Sequence, residues 1–456
     1  MKRRTNNHRF FSPPPKAAAN LAGGPTAFHR LRLFMLCFFC SFCLAAPLHV
    51  FAEGSEQQAS PETKEITLEE LIKAAAENNP EIKSSAQAAA ASKARIPAAG
   101  TLPDPTVKFE TMGNLIPPTL MKGDPSSART YGIEQEIPFP GKLGLRENIA
   151  SVEAESQRHN LELVNFKVIS ELKQAFFDLY LVNKTIDVLF KNKELLDNFE
   201  NIAESRYKVG QTSQQDVLKA QVEISKVLDR LLSQGEKKRI AEAKINSLLY
   251  RPAETPVGRP AEFKKAELAY SLEDLTQLAQ SNSPALKVSE SEVSRKGQEV
   301  ELARKEFYPD FAAGFTFFER EENPNMYGLM VSAKLPLYFW RKQQPELDAA
   351  KLNLSSATNT RESTLSTLRY QVREAYTTAA TSEKLANLYV SAIVPQSNLA
   401  LNSAVANYQV GKIDFLQLID ASVSLLEYQL KYYEAMAQFH KALAQLEPLV
   451  GVELVK

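Results

Sequence analysis

Residues 142–208 read KLGLRENIASVEAESQRHNLELVNFKVISELKQAFFDLYLVNKTIDVLFKNKELLDNFENIAESRYK and contain no proline. Leu161, Val164, Val168, Leu172, Ala175, Leu179, Val182, Ile186 and Leu189 recur at spacings of three and four. That near-3.5-residue period describes one helix with a continuous apolar seam, packed knobs-into-holes against a neighbour. At 1.5 Å per residue such a helix is ~100 Å long. A generic bundle needs helices only about a third of that length, so the stretch predicts a rod.

The rod is written twice. A second long stretch, 342–407, carries Pro345 in its first turn, where proline is tolerated, and Pro395 as a candidate kink near its far end. Both stretches end at the same turn, Tyr207-Lys-Val-Gly210 and Tyr408-Gln-Val-Gly411. Further pairs follow in the same order: Thr67-Leu-Glu-Glu-Leu71 with Ser271-Leu-Glu-Asp-Leu275, and Leu102-Pro103-Asp104 with Tyr308-Pro309-Asp310. Tyr131-Gly132-Ile133 matches Tyr327-Gly328-Leu329, and Ile137-Pro138-Phe139 matches Leu335-Pro336-Leu337. Five such pairs in register mark an internal duplication. The first repeat is 65–250, with strands about 105–112 and 129–138, a long helix about 142–208 and a helix 213–250. The second is 269–451, with strands about 311–319 and 326–337, a long helix about 342–407 and a helix 414–447. Each repeat opens with a short helix at a capping box, Thr67-x-x-Glu70 or Ser271-x-x-Asp274. A second helix follows, about 81–96 or 285–306. Residues 251–268, rich in proline at their start, read as a linker, and 452–456 as a tail. In the helix after the first turn, Val217, Ala220, Ile224, Val227, Leu231, Ala241, Ile245 and Leu248 continue the coiled-coil spacing.

The extended segments alternate. Tyr131, Ile133 and Ile137 lie opposite Gly132, Glu134 and Glu136; Tyr327, Leu329, Val331, Ala333 and Leu335 lie opposite Gly328, Met330, Ser332 and Lys334. Phe311, Ala313, Phe315 and Phe317 form another apolar face, and Val107 and Phe109 begin a fourth strand. About ten residues with one apolar and one polar face fits a transmembrane β-strand, and equally a sheet with one wet face. Four strands cannot close a barrel, and open edges are not tolerated in lipid. Three chains would supply twelve strands, so the pattern favours an oligomer.

The chain has 456 residues with 54 Lys+Arg against 54 Asp+Glu. That balance does not suggest a nucleic-acid binder. Residues 1–52 hold seven basic and no acidic residues, an apolar run from Leu33 to Ala46, and Val50-Phe51-Ala52 before Glu53. They read as a secretory signal peptide, with 53–64 as an N-terminal extension. Its removal leaves 47 Lys+Arg against 54 Asp+Glu and takes away all three cysteines, Cys37, Cys40 and Cys43. No later apolar stretch is long enough for a spanning helix. Two histidines remain, His159 and His440, far apart and without ligand-spaced neighbours. No phosphate loop, nucleophile–base pair or metal-ligand spacing is present, so neither an enzyme nor a cofactor is expected. Met112, Met121, Met326 and Met330 fall near the strands and read as core or lipid-facing. Tyr338, Phe339 and Trp340 fit an interfacial aromatic belt.

This duplicated arrangement of strand pairs and long helices behind a signal peptide resembles the TolC family of outer-membrane efflux channels. The twin Tyr-x-x-Gly turns and Asp216-Val-Leu-x-Ala220 carry the resemblance most specifically, and it covers nearly the whole chain after residue 52. It implies a mainly α protomer with a small β part: a homotrimer whose twelve-stranded barrel crosses outer-membrane lipid above a periplasmic α-barrel. It implies a periplasmic adaptor and an inner-membrane pump as partners, with no chemistry in the duct. Leu102-Pro-Asp-Pro105 and Gln135-Glu-Ile-Pro-Phe-Pro-Gly-Lys142 look like the heavy-metal branch, which serves RND-type cation exporters. A multidrug or type I secretion duct has the same fold, and a periplasmic helical-hairpin adaptor is the competing class, although an adaptor would need many more strands.

The resemblance also implies a gate. The family's constriction aspartate, nine residues after the turn glycine, corresponds to Asp420; a second aspartate three residues earlier is replaced by Gln417. A threefold ring of carboxylates would attract cations; the plainer reading of Asp420 is a favourable charge near a helix N-terminus. Asp216 corresponds to a tip aspartate and is also the last member of a capping box, Ser213-x-x-Asp216. Tyr408 corresponds to a tyrosine that bonds across the gate, and reads equally as a packing aromatic. The family's tip arginine is absent, Ile413 standing there, and Lys412 is the candidate replacement. Tyr207, Gly210, Gly411 and Lys412 are the expected adaptor-docking tips, although a glycine at a helix C-terminus is first of all a cap.

Overall fold

Thr67 starts the first helix by accepting the Glu70 N–H on its hydroxyl, and Ser271 starts its counterpart with a reciprocal box to Asp274. In the computed structural model, which describes residues 65–263 and 268–455, these are α1 (Leu68–Asn78) and α5 (Leu272–Asn282). The expected signal peptide and extension, 1–64, lie outside the described residues. The order after the short strand β1 (Glu65–Ile66) and α1 is α2 (Pro80–Gly100), β2 (Thr106–Met112), β3 (Ala128–Ile137), α3 (Lys142–Lys208) and α4 (Gln214–Leu248). Then come β4 (Arg259–Pro260), α5, α6 (Pro284–Lys305), β5 (Asp310–Glu319), β6 (Met326–Lys334), α7 (Gln343–Leu388), α8 (Val394–Gln409) and α9 (Phe415–Val450).

The prolines set several boundaries differently from expectation. α2 and α9 run through Pro97 and Pro448, to Gly100 and Val450, instead of stopping before them. Pro395 neither ends the second rod nor leaves it regular. Residues Tyr389–Ile393 form a single π turn between α7 and α8. Proline lacks the N–H that would bond four residues back, and its ring crowds that carbonyl; the wider turn relieves both.

The apolar seam packs as its period requires. In α3, Val168, Leu172, Ala175, Leu179, Val182 and Leu189 are buried, while the outlying Leu161, Val164 and Ile186 are half-buried. In α4, Ala220, Val227, Ala241, Ile245 and Leu248 are buried. One core joins α1 and α5 to the middle of the rods, through Leu71, Leu275, Phe176, Val372 and Phe439. A second runs towards the turns, through Leu196, Phe199, Leu401, Leu418 and Leu426.

Two features escaped the seam analysis. The segment read as a linker is pinned: β4 pairs in parallel with β1, and Phe263 packs against Phe176, Phe177, Tyr180 and His440. Lys173 and Glu447 form a buried ion pair, both side chains no more than 2% exposed. The Lys173 ammonium donates to both Glu447 oxygens at 2.8 Å and to the Val455 carbonyl at 2.7 Å. The Leu454 and Val455 N–H groups donate to Glu447 Oε1 at 2.8 and 2.7 Å. The C-terminal segment is thereby tied to α3 and α9.

The four longer strands form one antiparallel sheet in the order β2-β3-β5-β6. Among the described residues the outer edges of β2 and β6 are unpaired. The registers Phe109↔Tyr131, Tyr131↔Phe317 and Phe317↔Tyr327 place the apolar residues of all four strands on one face. That face is bare: Val107 is 77% exposed and Val331 82%. With Asp104 equated to Asp310, the hairpin registers set Tyr131 level with Leu329, not with Tyr327 as the sequence match has it. The displacement is two residues, which keeps both on the same face.

Replacing Glu447 by Leu strands a buried ammonium and is expected to destabilise by about 3–5 kcal/mol. The Lys173→Met/Glu447→Leu double variant should recover much of the loss and remain below the parent, because the Leu454 and Val455 N–H groups lose their acceptor. Thermal melts followed by helical circular dichroism check this; equal melting temperatures for single variant and parent would refute the role given to the pair.

Candidate functional site

Two regions carry polar side chains that the packing does not consume. The first is the polar face of the sheet. Thr106, Lys108 and Glu110 of β2 line up with Glu134 and Glu136 of β3 and with Ser332 and Lys334 of β6. Asp104, Lys108, Glu134, Glu136, Asp310 and Lys334 surround a concave cavity of about 400 Å³. Lys108 and Glu134 are ion-paired across the strands. Gly132, Gly314 and Gly328 lie on this face. Met112, Met326 and Met330 share it, so they face neither core nor the apolar side as expected from sequence.

At the foot of the sheet lies a charge cluster around the buried Lys142. The Lys142 ammonium, 1% exposed, donates to Glu306 Oε2 at 3.0 Å and to Asp310 Oδ1 at 2.9 Å. Asp310 Oδ1 also accepts the Phe139 N–H at 2.8 Å. The corner motif ending at Lys142 is therefore a clamp between the two repeats: it fixes how α3 leaves β3 and how α6 enters β5. Tyr338, Phe339 and Trp340, at the matching corner of the second repeat, are all exposed.

The second region is the pair of turns at the far ends of the rods. Both close in the same way. Gly210 N–H donates to Tyr207 O and Gln211 N–H to Arg206 O; Gly411 N–H donates to Tyr408 O and Lys412 N–H to Asn407 O. Gly210 and Gly411 have φ of +73° and +77°, which only glycine adopts without strain. Lys412 is exposed.

The tyrosines of the two turns diverge. Tyr207 is 46% exposed, whereas Tyr408 is 2% exposed and packs edge-on against Phe415. The Arg206 guanidinium lies 4.8 Å from the Tyr408 ring centre and donates to the Gln409 carbonyl at 2.6 Å. Burial and the nearby Asp216 carboxylate hold the Tyr408 phenol above its ordinary pKa, against the opposing pull of Arg206, so it stays protonated at neutral pH. Its hydroxyl makes no hydrogen bond of good geometry. Asp216 is half-buried in the first turn of α4. The expected capping box is not closed: the Ser213 hydroxyl accepts no helix N–H, and the Asp216 carboxylate accepts from the Thr212 hydroxyl and, at 3.5 Å, from the Ser213 hydroxyl.

The structure thus gathers Tyr408 and Asp216 into one tip cluster around the buried Tyr408 ring and adds Arg206, which the sequence reading missed. A search for a basic residue after the turn glycine could not find one before it. The available signal was a basic residue in the last turn of a helix, where it can reach terminal carbonyls, here those of the neighbouring rod. Asp420 and Gln417 are elsewhere. They are three residues apart on the exposed face of α9, while Leu418 and Ile419 face the core. Asp414 takes the capping role by accepting the Gln417 N–H at 2.8 Å. Asp420 therefore lies beyond the cap, on a face the chain leaves open.

A family model described as outer membrane efflux protein matches residues 71–249 and again 275–452. The chain belongs to this family and carries its pattern twice. It is 22% identical over 397 residues to the cobalt-zinc-cadmium resistance protein CzcC of Cupriavidus metallidurans, covering 85% of this chain and 90% of that protein. Its fold matches solved channel structures. A membrane protein of Pseudomonas aeruginosa superposes with a TM-score of 0.74 at 17% identity, covering 84% of this chain and 90% of the other. The outer-membrane channel OprN gives 0.73 at 16%, covering 84% and 89%. CusC, whose structures concern folding and transmembrane channel formation, gives 0.72 at 15%, covering 84% and 91%. The fold is that of an outer-membrane efflux channel protomer, and export is the function the family defines. Among the described residues no helix is long and apolar enough to cross a membrane, and no group of three or more His, Cys, Asp or Glu side chains could hold a metal ion.

Arg206→Ala removes a charged donor from the Gln409 carbonyl, a bond worth about 1.5–3 kcal/mol. Local opening of the turn should become about 10–150-fold more frequent. Amide hydrogen exchange at Gly411 and Lys412 measures this. Tyr408→Phe deletes a hydroxyl without a good partner and should leave the same amides within about twofold of the parent; unchanged exchange in Arg206→Ala would remove the arginine from the tip.

Proposed function

We propose that this chain is the exit duct of a tripartite efflux system: a homotrimer in the outer membrane whose helices extend into the periplasm and whose cargo is metal cations. The observation that carries the reading is the sheet. Its apolar face is bare, its opposite face is charged, and its two edges are open. Three copies edge to edge would enclose the polar face as a lumen and turn the apolar face to lipid. Tyr338, Phe339 and Trp340 would then sit at the lower membrane interface.

An inner-membrane RND-type pump supplies the work in this scheme, and a periplasmic adaptor docks on the exposed turns around Tyr207, Gly210, Gly411 and Lys412. The duct itself is passive. Asp420, exposed on α9, forms with its two symmetry mates the carboxylate ring of the closed end. Gln417 adds a polar but uncharged ring one turn nearer the tip. Tyr408 and Asp216 lie behind this ring and hold the two turns of one protomer together. One ring is a weaker filter than two, which suits a duct that must release the cations it attracts.

Metal cargo is supported by the likeness to CzcC along 90% of that protein's length and by the corner motif that ends in the Lys142 clamp. A deletion strain tests cargo directly. Growth should fail against cobalt, zinc, cadmium, copper or silver and be unaffected by dyes, detergents and bile salts. Sensitivity to the lipophilic compounds alone would assign the duct to multidrug efflux instead.

Asp420→Ala should lower the cation-over-anion permeability ratio in planar-bilayer recordings by roughly twofold or more. An unchanged ratio and conductance would take Asp420 out of the constriction.

A further inference from the structure

At the sheet end of one chain, the two repeats meet through the strand pair β3–β5 and, below it, the ion pair between Lys142 and Asp310. The duplication supplies the same parts a second time, on the two outer edges. Asp104 repeats Asp310 in the shared Pro-Asp motif before the first strand. It is exposed and, among the described residues, makes no ion pair. After the second strand the position equivalent to Lys142 is Trp340, and the next two residues are Arg341 and Lys342, both exposed and, among the described residues, without an acidic partner. A free carboxylate thus stands below the open edge of β2, and two free cations below the open edge of β6.

We infer that these groups form an inter-protomer clamp: Asp104 of one protomer pairs with Arg341 and Lys342 of its neighbour, and the clamp sets the register in which β6 joins the neighbour's β2. The inference rests on the trimeric reading given above and specifies its joint.

The register follows from the in-chain seam. Equating Asp104 with Asp310 makes Thr106 equivalent to Ala312 and, through the hairpin pairings Thr106↔Glu134 and Ala312↔Ser332, makes Glu134 equivalent to Ser332. The in-chain pairs Glu136↔Ala312 and Ile133↔Phe315 then become Lys334↔Thr106 and Val331↔Phe109 between copies. Three independent features agree with this. All seven residues of β2 find a partner within β6, from Thr106 opposite Lys334 to Met112 opposite Gly328. Apolar meets apolar at Ala333↔Val107 and Val331↔Phe109, and polar meets polar at Ser332↔Lys108. The prolines that begin both corners, Pro138 and Pro336, are also equivalent in this register. A one-residue slip would turn the apolar face inward. A two-residue slip keeps the faces but moves Asp104 by about 7 Å along the strand relative to its cations.

Disulfide trapping tests the register, since residues 53–456 contain no cysteine. Directly opposed positions bring Cβ atoms to about 4.5–5.5 Å, within disulfide reach. Full-length protein carrying Phe109→Cys and Val331→Cys should give inter-chain cross-links on oxidation in membranes. The slipped pairs Phe109→Cys/Leu329→Cys and Phe109→Cys/Ala333→Cys should give at least fivefold less. Asp104→Arg in the Phe109→Cys/Val331→Cys background should cut the yield at least fivefold. Adding Arg341→Glu and Lys342→Glu should restore it to within twofold of the parent, which also shows that the single variant had not merely unfolded. Preferential trapping of a slipped pair, or of none in a three-chain complex, overturns the register while the trimer stands. A parent-like yield for Asp104→Arg, or no rescue by the charge swap, overturns the ion pair. No cross-link in a protein that runs as one chain overturns the clamp and the trimeric reading together.

Discussion

An unpaired strand edge with an apolar face beside it can persist neither in water nor in lipid. In water the face is exposed; in hydrocarbon the edge N–H and C=O groups lose every partner, at several kcal/mol each. The sheet β2-β3-β5-β6 has both an apolar face and two such edges. Most of what is unusual in the chain is arranged around that constraint. The two hairpins are joined side by side through β3 and β5, so one protomer presents a four-stranded fragment with one open edge on each side among the described residues. The Lys142 cluster locks the corner from which the rods descend. The rods carry exposed apolar side chains, such as Leu232 and Ile240 on α4 and Leu388 and Leu399 on α7 and α8, that no element of the same chain covers.

The duplication is not a copy. Equivalent positions have been given unequal work. Tyr207 faces out and Tyr408 is buried under Arg206. α3 is one unbroken helix, while its partner passes through a π turn ahead of Pro395. Lys142 closes a corner within the chain, and Arg341 and Lys342 leave theirs open. A closed ring of pseudo-equivalent rods needs only rough similarity along its length. The differences between the repeats named here lie at the sheet corner, the π turn and the tips.

Much of the fold was legible because it rests on periodicity. The 3.5-residue seam of α3, the alternation of the strands and the doubled turn Tyr-x-x-Gly are all local patterns, and each appears where its period demands. What was not legible depends on the partner of a side chain. Lys173 looks like a surface lysine on a charged helix, and only the fold brings Glu447, 274 residues away, to its ammonium. Pro97 and Pro448 look like helix stops, yet tertiary packing carries α2 and α9 past them. The tip cluster was half visible: Tyr408 and Asp216 came from resemblance, while Arg206 shows locally only as a basic residue in a last helical turn, and its partner lies on another rod. The methionines were misplaced on residue type alone; the alternation that sets Met330 opposite Leu329 and Val331 already put it on the polar face.

The proposed duct requires three copies to close the sheet. The direct measurement is the native mass of the detergent-solubilised complex extracted from outer membranes. Three chains per particle, with no populated single chain at working concentration, is the predicted result. A stable, folded particle of one chain would contradict it, because the bare apolar face and both open strand edges would then have found some other cover.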